Sequence, residues 1–186
     1  MRVPGGVLAL LAAVCILCTA CGCLGTSSPP PGGGITSIDL PEPEGYTLTE
    51  ALAELDVLSV EGGLNLTGTS MRQVLGNRVT LDGRAAAWAI GFEDGEEGRW
   101  LTSGVTGWRE TSLRAPLPDG EVNMTEILSP EALLAAQEEA IRPVMVRLDA
   151  STVDVMLAEG VYTITIRSNA GVEVLTFRAD NGEAIV

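Results

Sequence analysis

The chain contains no lysine and no histidine, and none of its four cysteines lies beyond Cys23. Without histidine or lysine it lacks the commonest general base, the commonest metal ligand and the amine used for Schiff-base chemistry. Without later cysteines, whatever follows Cys23 has no internal disulfide and is held together by its apolar core alone. A nucleophile elbow, a thiol with a histidine partner and a phosphate-cradling glycine loop are also missing. The expectation is therefore a protein that is not an enzyme and needs no cofactor and no metal. Every basic residue is an arginine, 11 in all against 25 acidic residues, for a net charge of −14. Nucleic-acid affinity is built from cations on phosphates, so nucleic acid is not an expected partner.

At 186 residues the chain has room for one ordinary domain or for two small repeats sharing a core. The apolar content, 46% over the whole chain, is densest at the N-terminus. Met1-Arg2 is a short positive region, and Val7 to Ala20 is an uncharged apolar run. Spanning a bilayer takes about 20 apolar residues, so this run has the length of a signal-peptide core instead. It ends in Thr19-Ala20-Cys21-Gly22-Cys23-Leu24-Gly25, small residues leading into cysteine, which resembles the lipobox of prokaryotic lipoproteins, bacterial or archaeal. The resemblance implies cleavage after residue 22 and lipidation of Cys23, with Cys21 as the alternative register. It places the protein at the cell membrane, lipid-anchored and facing the extracytoplasmic side. Loss of Arg2 with the leader leaves 10 basic against 25 acidic residues, or −15. Residues 23–45 are rich in Pro, Gly and Ser, a composition that cannot bury enough apolar surface to fold and reads as a tether.

Beyond the tether the periodicity changes. Thr49 ahead of Glu50, with Leu52, Leu55 and Leu58 at helical spacing, predicts a helix. Trp88, Ile90 and Phe92 alternate at period two, Glu93 to Gly98 forms a turn, and the chain returns through Arg99 to Ser103, which predicts a hairpin. Ser129-Pro130 ahead of Leu133 and Leu134 is a helix start, with serine as cap and proline at the first helical position. Tyr162, Ile164 and Ile166 then alternate with polar residues, turn at Asn169-Ala170-Gly171 and return through Val172 to Phe177. The expected fold class is α+β: two degenerate helix-plus-β-hairpin units, residues 46–115 and 116–186, with the helices packed on an antiparallel sheet.

The closing stretch from Tyr162 to Ile185, preceded by Ser129-Pro-Glu-Ala-Leu, resembles a PepSY-type module, in which a helix leads to a hairpin and an acidic final turn. Here that turn is Ala179-Asp180-Asn181-Gly182-Glu183, without the usual Asp before Ala and Thr before Gly. The resemblance implies an extracytoplasmic regulatory or inhibitory module and carries over no catalytic residues.

Three features are candidates for chemistry. The acidic run Glu93, Asp94, Glu96 and Glu97 has the oxygen ligands a hard cation needs but lacks the alternating pattern of a calcium loop, so a solvated turn is the expectation. Trp88 shares a face with Ile90 and Phe92 and is expected in the core, whereas Trp100 and Trp108, beside Arg99 and Arg109, form the candidate binding surface. Asn65-Leu66-Thr67 and Asn123-Met124-Thr125 are glycosylation sequons and mark surface loops. The expected function is a membrane-anchored binding or inhibitory module whose partner is an envelope protein or peptide. The alternatives are a carboxylate-dependent hydrolase, for which no acid pair is singled out by spacing, and a purely structural surface protein.

Overall fold

The computed structural model describes residues 45–185 apart from positions 96, 105 and 114. The expected leader, Cys21, Cys23 and the tether up to residue 44 lie outside the described residues. The first helix, α1 (Leu48–Val60), opens with a capping box. Thr47 Oγ1 accepts from the Glu50 amide at 3.2 Å, and the Glu50 carboxylate accepts from the Thr47 amide at 3.0 Å. The cap is thus Thr47, two residues earlier than Thr49, because only Thr47 stands three positions before a glutamate that can reach back. Leu48, Ala51 and Leu55 form its buried stripe.

Seven antiparallel strands follow in one sheet, in the spatial order β4-β3-β2-β1-β5-β6-β7. They are β1 (Ser70–Val79), β2 (Ala87–Asp94), β3 (Glu97–Thr102), β4 (Arg109–Thr111), β5 (Val153–Ala158), β6 (Val161–Ser168) and β7 (Gly171–Arg178). Between β4 and β5 lie α2 (Pro130–Ala136) and α3 (Glu138–Leu148). Ser129 caps α2 with its side chain and Pro130 takes the first turn, as the sequence predicts. The alanine-rich helix is however broken at Gln137, where φ −107° and ψ 16° end one helix and begin the next.

Both expected hairpins form, β2–β3 and β6–β7, but neither stands as a two-stranded ribbon. Each gains a third strand on its inner side, β1 or β5, and these two pair with each other at the centre of the sheet. An isolated hairpin cannot bury enough apolar surface to be stable, and the added strands supply it. The segments 46–115 and 116–186 accordingly contribute to one sheet and one core, in an α+β fold.

The pairing registers divide the side chains cleanly between two faces. Val74, Trp88, Ile90, Leu101, Val155, Leu157, Tyr162 and Ile164 point to one side and pack with Leu48, Leu55, Leu133, Leu134, Ile141 and Leu148 of the helices. Trp88 is its centrepiece, fully buried, with its indole N–H donating to the Tyr46 carbonyl at 2.8 Å. Gly76 lies on β1 opposite it because a Cβ there would come within 2.5 Å of the indole ring. Opposite Gly76 on its other side is Val155. A two-residue turn joins β5 to β6 through Glu159 and Gly160, both at positive φ, the geometry that suits the twist of paired strands.

Candidate functional site

The second face of the sheet carries no helix. Alternation places there Leu75 and Asn77 of β1, Ala87, Ala89 and Gly91 of β2, Thr102 of β3, Asp154 and Met156 of β5, Thr163, Thr165 and Arg167 of β6, and Val172 and Val174 of β7. Val172 and Val174 are 66% and 52% exposed, an unusual cost for β-branched apolar residues. One end of this face is covered. There Leu117 lies over Gly91 and Gly98, whose absent side chains make room for it. Gly120 lies against Glu159, and the Val122 amide donates to the Met71 carbonyl at 2.7 Å, so residues 117–122 form a strap across the sheet. Beyond the strap, small side chains on β2, beside the larger ones of β1 and β5, leave an open apolar groove of about 420 Å³, lined by Leu75, Ala87, Ala89, Met156, Thr163 and Thr165 among others.

The groove lining carries little charge for a strongly acidic protein: one arginine, Arg167, and one acid. Among the described residues Asp154 is the one carboxylate that lines it, and both its oxygens are engaged. Oδ1 accepts from the Arg78 amide at 3.1 Å, and Oδ2 pairs with Arg167 Nη2 at 2.6 Å. Arg78 sits in a bulge of β1 at φ 51°, a left-handed conformation that a non-glycine residue adopts at some cost and that Asp154 here holds in place. Arg109 opposes Thr102 on the same face, and neither it nor Arg78 has a carboxylate partner among the described residues. Arg78, Arg109 and Arg167 all lie toward the strand ends away from the strap, where β1 finishes and β4 begins.

The residues expected to form a binding surface are dispersed. Trp100 is 1% exposed, contrary to the expectation that it faces solvent, because Leu117 of the strap and Gly91 close over its ring. Trp108 is half-buried against the core, its indole N–H donating to the Ala51 carbonyl at 3.1 Å. Arg99 is held between Glu110 at 3.2 Å and Asp94 at 3.6 Å and also donates to the Asn65 carbonyl. The Glu110 hydrogen bond, with the charges of Glu110 and Asp94, raises its already high pKa despite slight desolvation. Arg109 alone of the four reaches the open face. Trp88 is buried as its strand periodicity predicts. In the acidic turn, Glu93 pairs with Arg72 and Asp94 with Arg99, and no group of three or more acids or cysteines is placed to hold a metal among the described residues. Asn65 and Asn123 are exposed on loops.

The site is thus an open β-sheet surface with an apolar floor and the Arg167–Asp154 pair at one end. No family model matches the chain, so the PepSY likeness of its last third stands on sequence pattern alone. No curated protein matches it either. A solved structure from Clostridium difficile, described as a candidate lipoprotein, aligns with 78% of this chain and 94% of its own at a TM-score of 0.47 and 9% identity. No described helix is long and apolar enough to cross a membrane.

Proposed function

We propose that this protein is a membrane-anchored extracytoplasmic lipoprotein acting as a non-catalytic binding module, with the helix-free sheet face as its docking surface. The leader and the Gly22-Cys23 site support the anchor. The observation that carries the docking reading is the contrast between a net charge of −14 and a groove whose lining has a single carboxylate, Asp154, already engaged by Arg167, with Arg78 and Arg109 next in the chain or across the ladder from the lining residues Asn77 and Thr102. Charge complementarity selects the partner: an extended protein segment with apolar side chains for the floor and carboxylates for the arginines. A regulatory or inhibitory role, as PepSY likeness implies, consists in occupying that segment. A helix-led meander of four strands, β1 to β4, and one of three, β5 to β7, on either side of the β1–β5 seam fit a degenerate duplication, in which the seam joins the copies. The hydrolase alternative gains nothing from a groove with only one carboxylate.

The test is photo-crosslinking in native membranes from a probe at Thr163 or Thr165, with probes at Val57 and Val146 on the helices as controls. Adducts to an acid-rich protein segment, confined to the sheet positions and lost in Arg78→Glu with Arg109→Glu, are expected. Adducts of equal yield from the helix positions, or adducts only to lipid or to a second copy of the chain, would refute it.

A further inference from the structure

We propose that Asn65 and Asn123 are covalently glycosylated, and that the local fold activates both side chains for the reaction. The carboxamide nitrogen is a poor nucleophile because its lone pair is delocalised onto the side-chain oxygen. Losing a proton from Nδ2 builds negative charge on Oδ1, so a donor already aimed at Oδ1 lowers the cost of the step. Both sequons are folded in that way. Asn65 Oδ1 accepts from the Thr67 amide at 3.0 Å. Asn123 Oδ1 accepts from the Thr125 amide at 3.1 Å and from the Thr125 hydroxyl at 2.8 Å. Each turn leaves the Asn exposed, with its oxygen turned back to the chain.

The transfer joins Nδ2 to the anomeric carbon of a sugar activated as a glycosyl phosphate or diphosphate. The anomeric C–O bond breaks, its electron pair leaves with the phosphate, and one Nδ2 proton passes to a base of the transferring enzyme. The chain itself provides a control. Asn181 makes the same turn, accepting from the Glu183 amide at 2.9 Å, and is equally exposed, but a glutamate stands where the sequons have threonine. Asn77 and Asn169 also lack a hydroxyl two residues on.

The two acceptors share one end of the domain. Arg99 binds the Asn65 carbonyl and Val122, next to Asn123, binds Met71, both near where β1 begins. Tyr46, by contrast, pairs with Ala85 at the far end, where β2 begins, β1 ends beside Arg78 and β4 starts at Arg109. Glycans on Asn65 and Asn123 therefore stand behind the strap and leave the groove open.

The proposal rests on export, and the experiment separates the two. Glycopeptide mass spectrometry of the full chain from its own host should find one glycan on Asn65, one on Asn123 and none on Asn77, Asn169 or Asn181. Thr67→Ala and Thr125→Ala should each remove one glycan mass and Thr67→Ser should keep it, while Glu183→Thr should add a third glycan at Asn181. Bare Asn65 and Asn123 on a chain that has lost its leader overturn the proposal alone; a chain still bearing its leader overturns export and glycosylation together.

Discussion

Gly76 and Trp88 offer a test of how the centre of the sheet is packed. A methyl group at position 76 would lie 2.5 Å from Trp88 Cζ3 and 2.8 Å from Val79 Cγ2, both closer than carbon atoms approach. Overpacking of this kind costs about 1–3 kcal/mol, against which the lost flexibility of the unfolded glycine returns about 0.5–1 kcal/mol. The net expectation for Gly76→Ala is destabilisation by about 1–2 kcal/mol. Trp88→Leu removes the ring and leaves the Tyr46 carbonyl without its 2.8 Å donor, for a loss of about 3–5 kcal/mol. In that background Gly76→Ala meets only the Val79 methyl, which a rotamer change relieves, so its cost should fall to near zero. The coupling between the two changes is then about 1–2 kcal/mol, readable as a double-mutant cycle from urea unfolding followed by far-UV circular dichroism. If Gly76→Ala costs the same in both backgrounds to within about 0.5 kcal/mol, the ring does not dictate the glycine and the packing argument fails.

Leu117→Ala should loosen the strap at a cost of about 1–2 kcal/mol and open Trp100 to solvent, seen as a red shift of its fluorescence and greater acrylamide quenching; an unchanged spectrum would count against the strap. Tyr162 is buried and donates to the Leu128 carbonyl at 2.7 Å, and desolvation, with the nearby Glu131 charge, pushes its phenol well above the usual range. Stability from this group is complete below the unfolded value of about 10 and is lost as pH rises beyond it, so Tyr162→Phe should cost about 1–2 kcal/mol at neutral pH and flatten the alkaline limb of a melting-temperature profile. The Glu50 carboxylate is held below its usual pKa chiefly by the Thr47 amide and also by Arg84. Its contribution is present above about pH 4.3 and disappears as pH falls through the lowered folded value, so wild type and Glu50→Gln should differ at neutral pH and converge in acid; parallel curves down to pH 3 would contradict the capping box. Ser129→Ala should cost about 1 kcal/mol through loss of the α2 cap, measured by urea midpoint.

Much of the fold was legible because some residues act only on their neighbours. The alternation of Trp88, Ile90 and Phe92 and of Tyr162, Ile164 and Ile166 placed two hairpins, and Ser129-Pro130 placed a helix start, since period-two burial and capping are local effects. The two central strands were not legible. In β1, Gly76 and Asn77 and the bulges after Met71 and Gly76 mimic a loop, and the glycine is there for a tryptophan that arrives only by pairing with β2. β5 alternates as Val153, Val155 and Leu157, but it follows a helix directly and becomes a strand by pairing with β1, far away in the chain. The binding-surface expectation missed Trp100 for the same kind of reason: a strand pattern says which residues share a face, not that a distant leucine will close over one of them.

Composition and local pattern by themselves determined that the chain lacks disulfide staples and histidine or lysine chemistry beyond Cys23, has a leader-like N-terminus, and alternates helices with β-hairpins. Those properties follow from which side chains are present and from periods of two and 3.6 residues. Only the tertiary structure decided that β1 and β5 fuse the two halves into one sheet, that its helices all lie on one side, and that Asp154 meets the Arg78 backbone and the Arg167 side chain on the other. The physical reason is that a sheet buries one face through contacts between residues far apart in sequence, and what its opposite face offers to a partner depends on which strands have become neighbours.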